Sequence, residues 1–170
     1  MEWTGQVFAD QPTVAVQARI DAPPARVWPL VSDIYLMAKL SAELQEVEWL
    51  EGVAGPAVGH RFVGRNANQM LGRWETVSTI VECAEPYRFA WAVGDPGQPA
   101  ALWRFTLQPD EAGTVLEQFA RMGPARSGLN RAIDAMPDKE QKIVFVRLRE
   151  FETGFKHNLA AIKELAEKGS

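Results

Sequence analysis

The feature that most constrains the fold is a long amphipathic segment near the C-terminal end of the chain. The run DKEQKIVFVRLREFETGFKHNLAAIKELAEK places apolar residues three and four positions apart, at Val144, Leu148, Phe151, Phe155, Leu159, Ile162 and Ala166. This spacing predicts one helix of about 28 residues, about 42 Å long, with a single apolar face. Asp138 with Gln141 has the pattern of a capping box at the start of this helix. So long a helix needs a wide apolar surface to cover it.

The middle of the chain offers that surface as β-strands. Apolar and polar residues alternate in PTVAVQARI (12–20), and six later runs have a similar character: LQEVEWL, GHRFVGRN, GRWETVSTIVEC, YRFAWAV, ALWRFTLQP and GTVLEQFARM. The short connections at 84–86 and 109–113 favour antiparallel hairpins, because parallel crossovers need a dozen or more residues. Two short helices are predicted after the first strand, one beginning near Pro23 and shortened by Pro29, the other near 33–40. The predicted fold class is α+β, a seven-stranded curved antiparallel sheet wrapped around the long C-terminal helix.

Composition limits the classes of function. The length predicts one domain spanning 1–170. Lys and Arg number 18 against 22 Asp and Glu, a net charge of −4, so nucleic acid is not an expected partner. The N-terminal segment lacks the pattern of a signal peptide and no apolar run approaches the ~20 residues of a membrane span, which predicts a cytoplasmic location. The single cysteine, Cys83, and two histidines without metal-ligand spacing predict neither a metal site nor a cofactor.

Several segments together carry a resemblance to a known family. They are IDAPPARVWPLVSDI (20–34), ELQEVEWLEG (43–52), GHRFVGRN (59–66), GRWETVSTIVECAEPYRFAW (72–91), LWRFTLQPDEAGTVLEQ (102–118) and the long C-terminal helix. With these segments the chain resembles the START-like, or SRPBCC, superfamily of the helix-grip fold, and more narrowly its bacterial polyketide cyclase/dehydrase branch. The resemblance implies an internal cavity between the sheet and the C-terminal helix, in which relatives bind lipids, hormones or polyketides.

The large aromatic residues are the predicted ligand-binding residues. Six tryptophans, each with a large apolar ring and one N–H, suit a pocket for a flat and partly polar guest, although such residues also commonly fill cores. By the resemblance and by alternation, the predicted wall comprises Trp49, Phe62, Trp74, Trp91, Trp103, Phe151 and Phe155, with Trp28, Met70 or Met122 at its mouth. Gly154, in the middle of the helix, predicts either close approach of the sheet or room for a guest beside the neighbouring phenylalanines.

Three functions remain open at this stage. The favoured one is binding of a small hydrophobic or aromatic molecule in the cavity. The alternative is a polyketide cyclase/dehydratase in which Arg65, Asn66, Tyr35 or His157 stabilises an enolate and moves a proton. The aromatase/cyclases that the chain resembles use a pocket arginine where this sequence has Ile80, which argues against that chemistry. The third is a regulatory interaction protein with a closed core. For any of the three, an exposed edge strand would allow a homodimer, although no feature of the sequence requires one.

Overall fold

A computed structural model describes residues 1–169, and its helices and strands follow the predicted order. Seven strands and four helices make up the chain: β1 Thr13–Ile20, α1 Pro24–Val31, α2 Ile34–Leu40, β2 Leu44–Trp49, β3 Arg61–Asn68, β4 Gly72–Ala84, β5 Arg88–Val93, β6 Ala101–Asp110, β7 Gly113–Met122, α3 Leu129–Ala135 and α4 Glu140–Lys168. Short 3-10 turns at Phe8–Asp10 and Pro137–Lys139 precede β1 and α4. The predicted α+β class is confirmed.

All seven strands form one antiparallel sheet in the order β1-β7-β6-β5-β4-β3-β2. The chain passes from β2 through β7 by neighbouring pairs, and β7 then pairs with β1, so β1 and β2 are the two edges. The predicted hairpins at 84–86 and 109–113 join β4 to β5 and β6 to β7, as expected. A bulge in β4 between Ile80 and Glu82 shifts the register against β5, so that Cys83, not Glu82, is opposite Phe89 and packs against the core.

The two short helices after β1 begin and end where local chemistry favours it. Pro24 occupies the first position of α1, where its missing N–H costs no hydrogen bond, and the helix ends two residues after Pro29. Asp33 caps α2, because its carboxylate accepts hydrogen bonds from the backbone N–H groups of Tyr35 and Leu36. The chain therefore turns twice within a short distance and returns to the sheet edge at β2.

The long helix α4 has 29 residues, close to the predicted length, but its predicted start is wrong. Asp138 lies inside a 3-10 turn that begins at Pro137, and the residue that caps α4 is Lys139, whose side chain makes no capping bond. A capping box requires an extended N-cap residue, and the 3-10 turn leaves Asp138 no such conformation. The first-turn carboxylate of Glu140 instead accepts a hydrogen bond of 3.0 Å from the backbone N–H of Phe8.

Helix α4 packs across the concave face of the sheet, in contact with β1 and β7, and the three short helices pack against it. The apolar stripe divides between two clusters of buried residues. Leu159, Ile162 and Ala166 join the cluster that includes α1 and the centre of the sheet, while Val144 and Leu148 join one that includes α3. Within residues 1–169, no helix is both long and apolar enough to span a membrane.

Candidate functional site: the aromatic interior

Six aromatic side chains run across the concave face of the sheet to α4, and we call them the aromatic row. They are Trp49 on β2, Phe62 on β3, Trp91 on β5, Trp103 on β6, and Phe151 and Phe155 on α4. Strand pairing places them together, since Trp49 is opposite Phe62 and Trp91 is opposite Trp103. Six contacts join the six rings, with centroid distances of 5.8 Å for Trp49–Phe62, 6.3 Å for Phe62–Trp91, 6.4 Å for the stacked Trp91–Trp103 pair, 4.9 Å for Trp103–Phe151, 5.8 Å for Trp103–Phe155 and 6.2 Å for the stacked Phe151–Phe155 pair.

The aromatic row is unevenly buried. Phe62, Trp91 and Phe155 are almost fully buried, whereas Trp49, Trp103 and Phe151 keep partial access to solvent. Trp103 contacts Phe151 and Phe155 of α4 and belongs to the margin of both core clusters. The row is therefore partly open at both ends, at Trp49 and at the junction between the sheet and the helix.

Two other tryptophans predicted for the site lie outside the row, Trp28 from the predicted mouth and Trp74 from the predicted wall. Trp28, on α1, is 5% exposed and packs edge-on against Phe89, within the first core cluster. Trp74 is half-buried on β4, and its ring centroid lies 5.8 Å from the guanidinium carbon of Arg147. Met122, predicted at the mouth, is 5% exposed and belongs to the second cluster.

Two surface pockets flank the sheet. One, of about 280 Å³, is lined by Met70, Leu71 and Trp74 of the β3–β4 hairpin and by Gly128, Arg131 and Ala132 at α3. The other, of about 370 Å³, lies between α2 and the edge strand β2. The predicted internal cavity is not confirmed, because side chains of the aromatic row occupy the space between the sheet and α4. The first pocket reaches the interior side of the sheet at Trp74, beside Arg147.

Arg147 is the buried charge of this region, with 8% of its side chain exposed. Its guanidinium donates hydrogen bonds of 2.6 and 2.7 Å to the two carboxylate oxygens of Glu43 and one of 2.7 Å to Glu150. Burial opposes the charge, but the bonds to Glu43 and then to Glu150 outweigh it and raise the pKa of Arg147 above its ordinary value. The guanidinium also lies 4.5 Å above the Phe151 ring.

Arg147 ties three parts of the chain together. Glu43 belongs to the loop between α2 and β2, and it also accepts a hydrogen bond of 3.1 Å from the side-chain amide of Asn68 at the end of β3. Neither Arg147 nor Glu43 is among the residues that the sequence predicted for the site. One signal was present, because Arg147 lies four residues before Phe151 and three after Val144, within the apolar stripe of the helix.

Of the four polar candidates for catalysis, only Asn66 lies on the concave face, where it is half-buried opposite Trp74. Arg65 points away, nearly half exposed, and forms ion pairs with Glu46 and Glu75. Tyr35 is 48% exposed on α2, and His157 is exposed on α4. The reason is the two-residue period of strands and the 3.6-residue period of helices, which turn adjacent residues to different faces.

The face of α4 that carries Phe151 of the aromatic row also carries one small residue and two polar residues. Arg147, Phe151, Gly154 and Asn158 follow one another at spacings of three and four, so they share a face. Apart from the helix backbone and the adjoining residues, no atom of residues 1–169 lies within 4 Å of the position that a Cβ at Gly154 would take. Gly154 therefore does not serve a close approach of the sheet, and the space beside it is open.

No group of three or more His, Cys, Asp or Glu side chains within residues 1–169 could hold a metal ion. Burial, followed by the nearby charge of Glu85, raises the pKa of the Cys83 thiol, which disfavours a reactive thiolate there. The chemistry that the interior offers is therefore aromatic packing and hydrogen bonding.

Comparisons with known proteins agree with this architecture. The family model described as polyketide cyclase / dehydrase and lipid transport matches residues 11–144. The Polyketide_cyc-like protein Cgl2372 from Corynebacterium glutamicum is 30% identical, with a TM-score of 0.66 over 95% of this chain and 93% of its own. MLL2253 from Mesorhizobium loti is 20% identical, with a TM-score of 0.59 over 94% and 99%. TTHA0849 from Thermus thermophilus is 16% identical, with a TM-score of 0.63 over 94% and 99%.

Because the last two structures are 20% identical or less, their similarity shows only a shared fold. No curated protein sequence matches the chain. The family match covers most of the chain, and the 30% identical structure covers nearly all of it. The curved sheet around α4 is the helix-grip arrangement expected from the sequence. The chain therefore belongs to the polyketide cyclase/dehydrase and lipid transport family.

Proposed function

We propose that this protein binds a small hydrophobic or aromatic molecule between the sheet and α4, at the junction of Trp103 and Phe151. The observation that carries the proposal is the aromatic row, which continues from the far edge of the sheet onto the helix. Flat rings at centroid distances of about 5–6.5 Å offer a planar guest faces and edges of the kind that aromatic side chains prefer. Membership of a family that includes lipid transport supports the same function.

A surface pocket lies one side chain away from this junction. The pocket of about 280 Å³ exposes Trp74, and the side chain of Arg147 separates Trp74 from Phe151. Trp103 and Phe151 are half-buried, so we expect a guest to enter the row by rotation of Phe151. The open space at Gly154, less than one helical turn further on, leaves room beside Phe151.

Native mass spectrometry of the purified protein, compared under gentle and denaturing conditions, tests the proposal. A small molecule that departs on denaturation would support binding and give the mass of the guest. Equilibrium dialysis with 2-naphthol, a flat molecule with one hydroxyl, follows as the quantitative assay. Absence of both a co-purified mass and saturable naphthol binding would contradict the proposal.

Filling the space at Gly154 provides a direct test. Gly154→Leu is expected to stabilise the fold by up to about 1 kcal/mol, because leucine favours a helix and its Cβ meets no neighbouring atom. The same change is expected to weaken 2-naphthol binding at least about tenfold, since the leucine side chain takes the room beside Phe151. Thermal unfolding and equilibrium dialysis measure the two effects.

Thr153→Leu is the matched control, because Thr153 is the preceding residue of α4 and its side chain is exposed. It is expected to raise helix stability with unchanged naphthol affinity. If Gly154→Leu also left the affinity unchanged, the space beside Gly154 would have no part in binding.

The packed interior favours one second candidate, a regulatory protein with a closed core. The stacked pairs Trp91–Trp103 and Phe151–Phe155 already fill much of the space that a guest would need. A closed core predicts no saturable binding and an unaltered function in Gly154→Leu. The cyclase alternative has less support, because Arg65, Tyr35 and His157 lie away from the aromatic row.

A further inference from the structure

A pair of amide side chains, one on β7 and one on α4, lies between the sheet and the helix next to the aromatic row. Gln118 is on the concave face of β7, opposite Phe105 on β6 and Val16 on β1, and it is only 5% exposed. Its Oε1 atom accepts a hydrogen bond of 3.4 Å from the Nδ2 atom of Asn158 on α4. This single long bond links the sheet and the helix at a point where both cross-strand neighbours are apolar.

The amide pair has unused hydrogen-bonding capacity. Within residues 1–169, the amide Nε2 of Gln118 donates to no group and the amide Oδ1 of Asn158 accepts from none. The only buried side-chain nitrogen or oxygen atoms without a partner within residues 1–169 are the Nε atoms of Arg104 and Arg121, so the unpaired Nε2 of Gln118 keeps contact with solvent and is within reach of a small molecule. Interchanging the O and N atoms of both amides leaves the same result, one free donor beside one free acceptor.

The position of the pair relates it to the row. Gln118 is two residues from Ala120 on β7, and Ala120 is directly opposite Trp103, so Gln118 and Trp103 are diagonal neighbours on one face. Asn158 is one helical turn after Gly154, the residue with open space beside it. A planar guest held against Trp103 would therefore extend its edge toward the two amides.

We infer that Gln118 and Asn158 recognise a polar, uncharged edge group of the guest, a hydroxyl or a carbonyl, and so select an oxygenated aromatic over a pure hydrocarbon. This inference rests on the proposed function and adds a ligand class to it. A free donor beside a free acceptor suits a hydroxyl, which both donates and accepts, or a carbonyl with an adjacent hydroxyl. Two neutral amides do not compensate the desolvation of a charged group, so a carboxylate is disfavoured at this point.

The test compares three probes of similar shape, 2-naphthol, naphthalene and 2-naphthoate, by equilibrium dialysis against the purified protein. The wild-type protein is expected to bind 2-naphthol about three- to tenfold more tightly than naphthalene, the gain of one or two net hydrogen bonds, and 2-naphthoate least tightly. In Gln118→Met the preference for naphthol over naphthalene is expected to disappear, while naphthalene affinity stays the same. Gln17→Met, which alters an exposed glutamine on β1, is the control and keeps the preference.

The outcomes separate the inference from the proposed function. Wild-type protein that binds naphthalene and 2-naphthol equally would overturn the inference and leave hydrophobic binding intact. Wild-type protein that binds neither probe would overturn both. A naphthol preference that survives in Gln118→Met would also overturn the inference, because another group or an ordered water then satisfies the hydroxyl. Asn158→Leu, on the helix, provides a second variant if Gln118→Met fails to fold.

Discussion

Replacing Arg147 by methionine is expected to lower the free energy of unfolding by about 3 kcal/mol. Methionine keeps most of the apolar contact with Phe151 and Trp74, so the loss comes mainly from the charge. Without the guanidinium, Glu43 and Glu150 lose three charge-assisted hydrogen bonds and face each other as like charges. Both carboxylates are about one-third exposed and can recover water, which keeps the effect below that of a fully buried pair.

Urea denaturation of a small set of variants measures this effect. Arg149→Met, two residues away on the exposed side of α4, is the matched control and is expected to change stability by less than about 0.5 kcal/mol. Glu43→Gln should cost less than Arg147→Met, because Arg147 keeps Glu150 and an amide oxygen as acceptors. A double-mutant cycle between Arg147→Met and Glu43→Gln is expected to show coupling above about 1 kcal/mol. Independent effects would mean that the ion pair does not hold the helix to the loop before β2.

Much of the fold could be predicted because its signals are local. Apolar residues at helical spacing over 29 residues define α4, and alternation with turn residues between the runs defines the strands. The prediction of where α4 starts was wrong for a local reason too. The capping-box pattern consists of two residues, Asp138 and Gln141, and it does not reveal that Pro137 begins a 3-10 turn. Family resemblance supplied the arrangement of sheet and helix that periodicity alone leaves open.

The candidate site was less predictable, because its contacts join distant parts of the chain. Arg147 and Glu43 are 104 residues apart, and an arginine within an apolar helix face is usually taken as a solvated charge. Strand faces also depend on register. The bulge after Ile80 reverses the alternation of β4 and turns Cys83 to the core, which the sequence pattern does not show. Which of the predicted site residues contact one another therefore depends on long-range strand pairing and register.

Trp103 offers the sharpest separation between a ligand site and a filled core. Trp103→Ala is expected to reduce stability by about 3 kcal/mol, because it removes the ring that contacts Trp91, Phe151 and Phe155. If Trp103 is the main surface for the guest, 2-naphthol affinity falls by about 30-fold or more in the same variant, the range of a binding hot spot. Dialysis at a temperature where the variant is fully folded keeps the two effects apart.

Trp28→Ala is the matched variant, since it removes the same side chain from the core beside α1, where the ring packs against Phe89. It is expected to cost at least as much stability as Trp103→Ala, because Trp28 is the more buried of the two, yet to change naphthol affinity less than about threefold. Equal losses of affinity in the two variants would show that binding merely follows stability. Retained affinity in Trp103→Ala would remove the junction of sheet and helix as the binding surface, and would favour the regulatory protein with a closed core.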